Sequence, residues 1–249
     1  MQEWHLENNQ YEVLEMQNGD CVVKDKINNK FYYQEKYFVS RKWNFTHKEK
    51  VCWNWKDTVL LFSILISLIS MIAVFIQYQT IYSPYTVFSR KEYIESAAFI
   101  IFNIVLHELA HYLVMRFYGR KAGKVKLKFY FKIFPCIVTN TTDSYMLPRY
   151  RRAFVYYAGI MTNWIVCGIV LLFFPQYSFL LRSIVWMAIY NMIPFGGIRT
   201  DGYHIIVNTL LNVRDLKGKK NAISEIAKYC FVAFAVVSIC QSILIMIGT

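Results

Sequence analysis

From Thr58 to Ile76 the chain carries no charged residue. A helix of that length reaches across the hydrocarbon core of a bilayer, which is about 30 Å thick. Further apolar runs lie at about 97–117, 153–174, 179–195 and 229–247. The sequence therefore predicts an all-α polytopic membrane protein with about five transmembrane helices. Composition agrees, since 56% of the 249 residues are hydrophobic and the mean hydropathy is +0.28, too greasy for an ordinary soluble domain. The first apolar run follows a polar segment that reaches to Asp57, which does not look like a cleavable signal peptide.

The net charge of +12 raises the question of a nucleic-acid partner. Its distribution argues for a membrane instead. Between Arg116 and Arg152 lie ten basic residues and one acid, Asp143, whereas the stretch up to Asp57 holds nine of each sign. Basic residues concentrated between apolar runs mark cytoplasmic loops and contact with anionic lipid. With the N-terminus inside, both the 119–152 loop and the 196–228 loop fall in the cytoplasm, and the positive-inside rule is obeyed. The six cysteines show no C-x-x-C spacing, so neither a disulfide framework nor a cysteine metal site is expected.

Residues 1–50 read as a short β-meander. Tyr11 to Met16, Cys21 to Lys24 and Phe31 to Tyr33 are strand-like, with turn signals at Asn18-Gly19-Asp20 and Asn28-Asn29. The segment is small for an independent core, so it is expected to depend on docking elsewhere. A second β element is predicted at 124–134, where Val125, Leu127, Phe129, Phe131 and Ile133 alternate with lysines for most of its length. A strand or hairpin at the membrane surface has that pattern.

The second apolar run contains His107, Glu108 and His111 as H-E-x-x-H. Histidines at i and i+4 lie one above the other on a helix and can share one Zn²⁺, while the glutamate beside the first can reach water at the metal. Buried in a membrane helix, three such side chains cost several kcal/mol unless something compensates, and a metal does so. Zinc in a hydrolase usually takes three protein ligands. His107 and His111 sit toward the cytoplasmic end of their span, and Asp201 emerges from the fourth run at the same depth and side. Asp201 is the best third ligand on topology, with His204 as the alternative.

Asn191, Pro194, Asp201 and Gly202 resemble the N-x-x-P…D-G motif of the site-2 protease family, and Ala158, Gly159 and Asn163 are similar to that family's A-G-P-x-x-N stretch, with Ile160 at the proline. The β element after the H-E-x-x-H helix also stands where the family has a hairpin or re-entrant segment. The likeness covers about 95–210. It implies an intramembrane zinc metallopeptidase in which His107, His111 and Asp201 bind Zn²⁺ and Glu108 activates water. Asn163 and Asn191 would bind the substrate backbone or the oxyanion, or else join helices by hydrogen bonds. The family usually has four residues between proline and aspartate, whereas six separate Pro194 from Asp201 here, and Gly196-Gly197 offer room to loop out the surplus.

The stretch from Tyr145 to Arg152, with Asp201-Gly202-Tyr203, looks most like the bacterial peptide-maturation branch. The expected organisation is then a cytoplasmic β-rich segment at 1–57 and a transmembrane metalloprotease domain at 58–249. It would lie in the cell membrane as a multi-pass protein and act on a peptide or membrane-protein substrate, with lipid and not nucleic acid as its other contact. Two other readings compete. A non-proteolytic transport, immunity or assembly factor could retain a metal site, though such a site needs no free base like Glu108. A soluble metalloprotease tethered by one helix conflicts with the apolar run Ala97 to Val105, whose one polar residue is Asn103.

Overall fold

The computed structural model describes residues 3–16, 19–35, 39, 44–77, 89–130, 134–194, 200–210 and 229. Among the described residues, three helices are long and apolar enough to cross a membrane: α1 (Trp55–Ile76), α2 (Arg90–Phe117) and α3 (Arg149–Phe173). Asn54 caps α1 and Ser89 caps α2, each through a reciprocal capping box with the acid three residues on, Asp57 and Glu92. The helix starts are therefore set by local side chains, and the apolar runs follow. Much of α1 shows large apolar side chains on its surface, among them Phe62, Ile69 and Ile72. That face suits lipid rather than water.

Of the remaining two expected spans, one differs and the other is not described. In place of 179–195 there is a 3-10 turn, Pro175–Leu180, followed by α4, Leu181–Met192, which has 12 residues and is about 18 Å long. Proline sets both limits. Pro175 opens the turn, and Ile193, held extended before Pro194, ends α4. The run at 229–247 falls, except for Tyr229, outside the described residues. A short helix, α5 (Asp201–Leu210), completes the described bundle.

The centre of the bundle is α3, which packs against α1, α2, α4 and α5. Ile160, Trp164, Cys167 and Val170 of α3 meet Val74 of α1 and Leu181, Ile184, Val185 and Ala188 of α4 in one core. Nearer the other end, Val155 and Ala158 pack on Leu60, Val114 and Met115. At that end Asp57, fully buried, receives both Arg151 Nε (2.9 Å) and Nη2 (2.8 Å) and the Tyr118 hydroxyl (2.8 Å). The start of α1, the end of α2 and the start of α3 are thus fastened together.

The N-terminal segment is a five-stranded antiparallel sheet: β1 (Trp4–Glu7), β2 (Tyr11–Glu15), β3 (Asp20–Asp25), β4 (Lys30–Glu35) and β5 (His47–Lys50), in the order β4-β3-β2-β1-β5. Strands β2 to β4 form the meander read from the sequence, and β5 returns to pair with β1. One face packs Leu14, Met16 and Val22 onto Met146 and Tyr145, just before α3. Ion pairs from Lys24 to Asp143 and from Glu12 to Arg120 flank that contact.

After α2 comes an antiparallel hairpin of β6 (Val125–Tyr130) and β7 (Phe134–Thr139), registered from Val125↔Thr139 to Tyr130↔Phe134. The alternation read across 124–134 falls on β6 as far as Tyr130, and residues 131–133 lie outside the described ones. β7 is the strand that lies against α2, and this places it at the metal-binding motif.

Candidate metal centre

His107 and His111 stand one turn apart on α2 and face α3, buried to 7% and 4% exposure. Each ring is oriented by its inner nitrogen. His111 Nδ1 donates to the Val155 carbonyl at 2.7 Å, and His107 Nδ1 lies 3.3 Å from Asn163 Oδ1. Since both partners are acceptors, both Nδ1 atoms carry the proton and both Nε2 atoms present a lone pair. These two Nε2 atoms are 3.2 Å apart.

Asp201 opens α5 and brings its Oδ2 to 2.9 Å from His107 Nε2 and 3.3 Å from His111 Nε2. The longer link after Pro194 does not carry it away. Thr200 Oγ1 donates to the Ile193 carbonyl at 2.6 Å and accepts the Tyr203 N–H at 3.3 Å, as a helix N-cap does. The ends of that link are thereby tied together. Gly202 permits the turn because a Cβ there would overlap the Met192 carbonyl.

Three acceptor atoms thus form a triangle with sides of 2.9, 3.2 and 3.3 Å. A tetrahedral zinc site with bonds of about 2.0–2.1 Å has ligand–ligand edges of about 3.3–3.4 Å, close to these. Lone pairs crowded in this way repel unless a cation lies among them, so the donor set fits a metal. Glu108 also lies close enough for a ligand atom to fall within 4.8 Å of those of the two histidines.

Glu108 is engaged elsewhere. Its Oε2 accepts the Thr139 backbone N–H at 2.7 Å, and its carbonyl accepts the Thr139 hydroxyl at 3.2 Å. Strand β7 therefore sets the position of the carboxylate. A cleft of about 530 Å³ opens here, lined by Glu108, His111, Asp201, Thr139, Tyr156 and His204 among others. His204 stacks on Tyr156, with ring centroids 4.6 Å apart and planes inclined by 12°. Of the two candidates for a third ligand, Asp201 is the one whose side chain reaches both histidines.

Asn163 is fully buried, and its Oδ1 accepts from Asn103 Nδ2 at 3.0 Å as well as facing His107. That geometry orients an imidazole and ties α3 to α2; it does not present Asn163 to the cleft. Asn191 is half-buried near the end of α4, with its carbonyl 3.0 Å from where a Cβ on Gly202 would stand.

Several contributors carried no chemical signature in the sequence. Thr139 and the Val155 carbonyl act through backbone atoms, and Asn103 registers only as a polar residue in an apolar run. Gly159 belongs to a motif, but its reason is steric: a Cβ there would fall on the ring of His107.

Among known proteins, the chain is 27% identical over 211 residues to YydH of Bacillus subtilis (strain 168), provisionally named a peptide zinc metalloprotease protein; the match covers 81% of each chain. No family model matches the chain, and no solved structure matches it.

Proposed function

We propose that this chain is a zinc metallopeptidase of the site-2 protease type, which hydrolyses peptide bonds of a small peptide or membrane-protein substrate at the membrane. The observation that carries this reading is the convergence of His107 Nε2, His111 Nε2 and Asp201 Oδ2 on one point at the edge of a cleft that Glu108 also lines. The name given to YydH supports both the metal and a peptide substrate. The three long apolar helices support a multi-pass place in the cell membrane, with the N-terminus in the cytoplasm by the charge argument.

In this reading His107, His111 and Asp201 hold Zn²⁺, which when bound supplies Lewis acidity toward a carbonyl and makes water more acidic. Glu108, fixed by the Thr139 N–H, takes a proton from water and returns it to the leaving amine. Asn163 holds His107 in the tautomer that leaves Nε2 free. The buried walls of α2 and α3 exclude bulk water from the ligand side, and the cleft admits the peptide.

The test separates the two carboxylates. In Glu108→Gln the zinc content of detergent-purified protein should stay near that of the wild type while peptide cleavage falls at least about 10²-fold. In Asp201→Ala the zinc affinity itself should fall, with His204→Ala much less affected. Full biological function in Glu108→Gln would mean that the protein does not act as a peptidase.

A further inference from the structure

The cleft has a second wall whose chemistry the hydrolytic reading does not use. Lys124 and Lys126 line it from the β6 side, in the same cleft as Asp201 and His204. Their placement follows from strand geometry. Side chains alternate along a strand, so Lys124 and Lys126 share one face, and Lys126 stands across from Val138, which also lines the cleft. Val125 and Leu127 take the opposite face and are exposed to 54% and 61%. Lys124 and Lys126 line the cleft, whereas Val125 and Leu127 do not.

The acids of the cleft are already committed. Asp201 faces the two histidines, and Glu108 holds the Thr139 N–H. Asp143, close by in sequence, pairs with Lys24 and accepts the Lys121 N–H at 3.0 Å. Among the described residues no acid pairs with Lys124 or Lys126. Thr139, which fixes Glu108, is the cross-strand partner of Val125, the residue between the two lysines. The lysines therefore share with Glu108 the cleft in which a scissile bond must lie if Glu108 is to serve it.

Resting on the peptidase reading above, we propose that Lys124 and Lys126 select substrates that carry a carboxylate close to the scissile bond, supplied by an Asp or Glu side chain or by the peptide's free C-terminus. A peptide laid along β6 and β7 presents its side chains at the same spacing as the lysines, so a single carboxylate can meet both ammonium groups. Charge-assisted hydrogen bonds of this kind are the stronger ones. Both lysines are exposed, so replacing them leaves the core untouched.

The experiment measures binding and hydrolysis separately. Full-length Glu108→Gln protein in detergent is titrated with rhodamine-labelled decapeptides, neutral except for one Glu at successive positions, each compared with its Gln counterpart and made with a free or an amidated C-terminus. At the favoured position the Glu peptide should bind at least about tenfold tighter than the Gln peptide, the scale of one charged hydrogen bond. If the carboxylate comes from the terminus, the contrast appears between acid and amide instead. In K124Q/K126Q the contrast should vanish, and in K124E/K126E a Lys-bearing peptide should be preferred. With Glu108 intact, kcat/KM should rank the peptides in the same order. If no peptide is cut, the peptidase reading fails, and the binding contrast still decides this proposal. Equal affinity for charged and neutral peptides, or a contrast that survives both double substitutions, overturns it. So does a lysine effect present in phosphatidylglycerol nanodiscs and absent from phosphatidylcholine ones, which assigns the lysines to lipid headgroups.

Discussion

Gly159→Ala is the substitution that most directly probes how the metal centre is built. The added methyl would be placed on α3 against Cε1, Nε2 and Cδ2 of His107. The helix cannot retreat, because its neighbours Ala158 and Ile160 are 1% exposed and Val155 and Asn163 are fully buried. The imidazole must move instead, by about 1 Å to restore an ordinary contact of about 3.5 Å. That is about half the length of a zinc–nitrogen bond, so His107 leaves the triangle. Perturbing a supporting group of a ligand usually lowers metal affinity by about 10–100-fold, and displacing the ligand should cost at least about 100-fold, or about 2.7 kcal/mol. Competition for zinc against a chromophoric chelator, on purified protein whose helicity is checked by circular dichroism, reads this directly. Ile160→Val is the control: it trims the neighbouring residue, costs about 0.5–1.5 kcal/mol of stability and should leave zinc affinity unchanged. Wild-type zinc affinity in Gly159→Ala would show that the position of His107 does not matter to the metal, and the reasoning would fail.

Asn163→Leu removes the acceptor shared by Asn103 and His107; each buried donor left behind costs about 1–3 kcal/mol, so thermal stability and zinc affinity should fall together, and an unchanged affinity would deny Asn163 its orienting role. Burial opposes a charge on Glu12, but the hydrogen bond from His5 and the charge of Arg120 outweigh it and bring its pKa from 4.5 down to about 2. A depressed folded-state pKa means that the pair's contribution is complete above about pH 4.5 and is lost as the pH falls toward 2, so amide exchange in β2 should rise across that window in the wild type and show no such step in Glu12→Gln. A cysteine placed in the 119–152 loop should resist an impermeant thiol reagent in intact cells, and efficient labelling there would reverse the proposed orientation.

Which parts of this structure could be read in advance depended on whether the signal was local. His107, Glu108 and His111 were visible because helical spacing alone puts them together, and Asp201 because the second and fourth apolar runs, read in the same direction across the membrane, end on one side. Strands β2 to β4 alternate and carry their own turn residues. By contrast, β1 has only four residues, and β5 reads His47-Lys48-Glu49-Lys50 with no alternation at all. Their pairing is a product of tertiary contact, which no local pattern encodes. The shortened α4 had its cause in plain view, in Pro175 and Pro194, but an apolar run measures hydrophobicity and not helix length. The support of Glu108 by Thr139 depends on hairpin register, which a one-residue slip would invert.

The basic loop shows how one set of charges answers two demands. Counted as a pool, its residues are the basis of the proposed orientation. In the folded protein three arginines are taken up internally: Arg120 binds Glu12 and the Met146 carbonyl, Arg151 grips both oxygens of Asp57, and Arg152, fully buried, donates to the Tyr145 and Leu147 carbonyls. The planar guanidinium suits such multiple acceptors, and the lysines at 121, 124 and 126 are left exposed. The pair between Arg120 and Glu12 also constrains topology. Glu12 precedes α1, and Arg120 follows α2, so the two can meet only if the chain crosses the membrane an even number of times between them. Two spanning helices satisfy this and one would not. The docking of the sheet therefore requires that α1 and α2 cross as a pair, and a single crossing by either one would break it, whichever side of the membrane the sheet occupies.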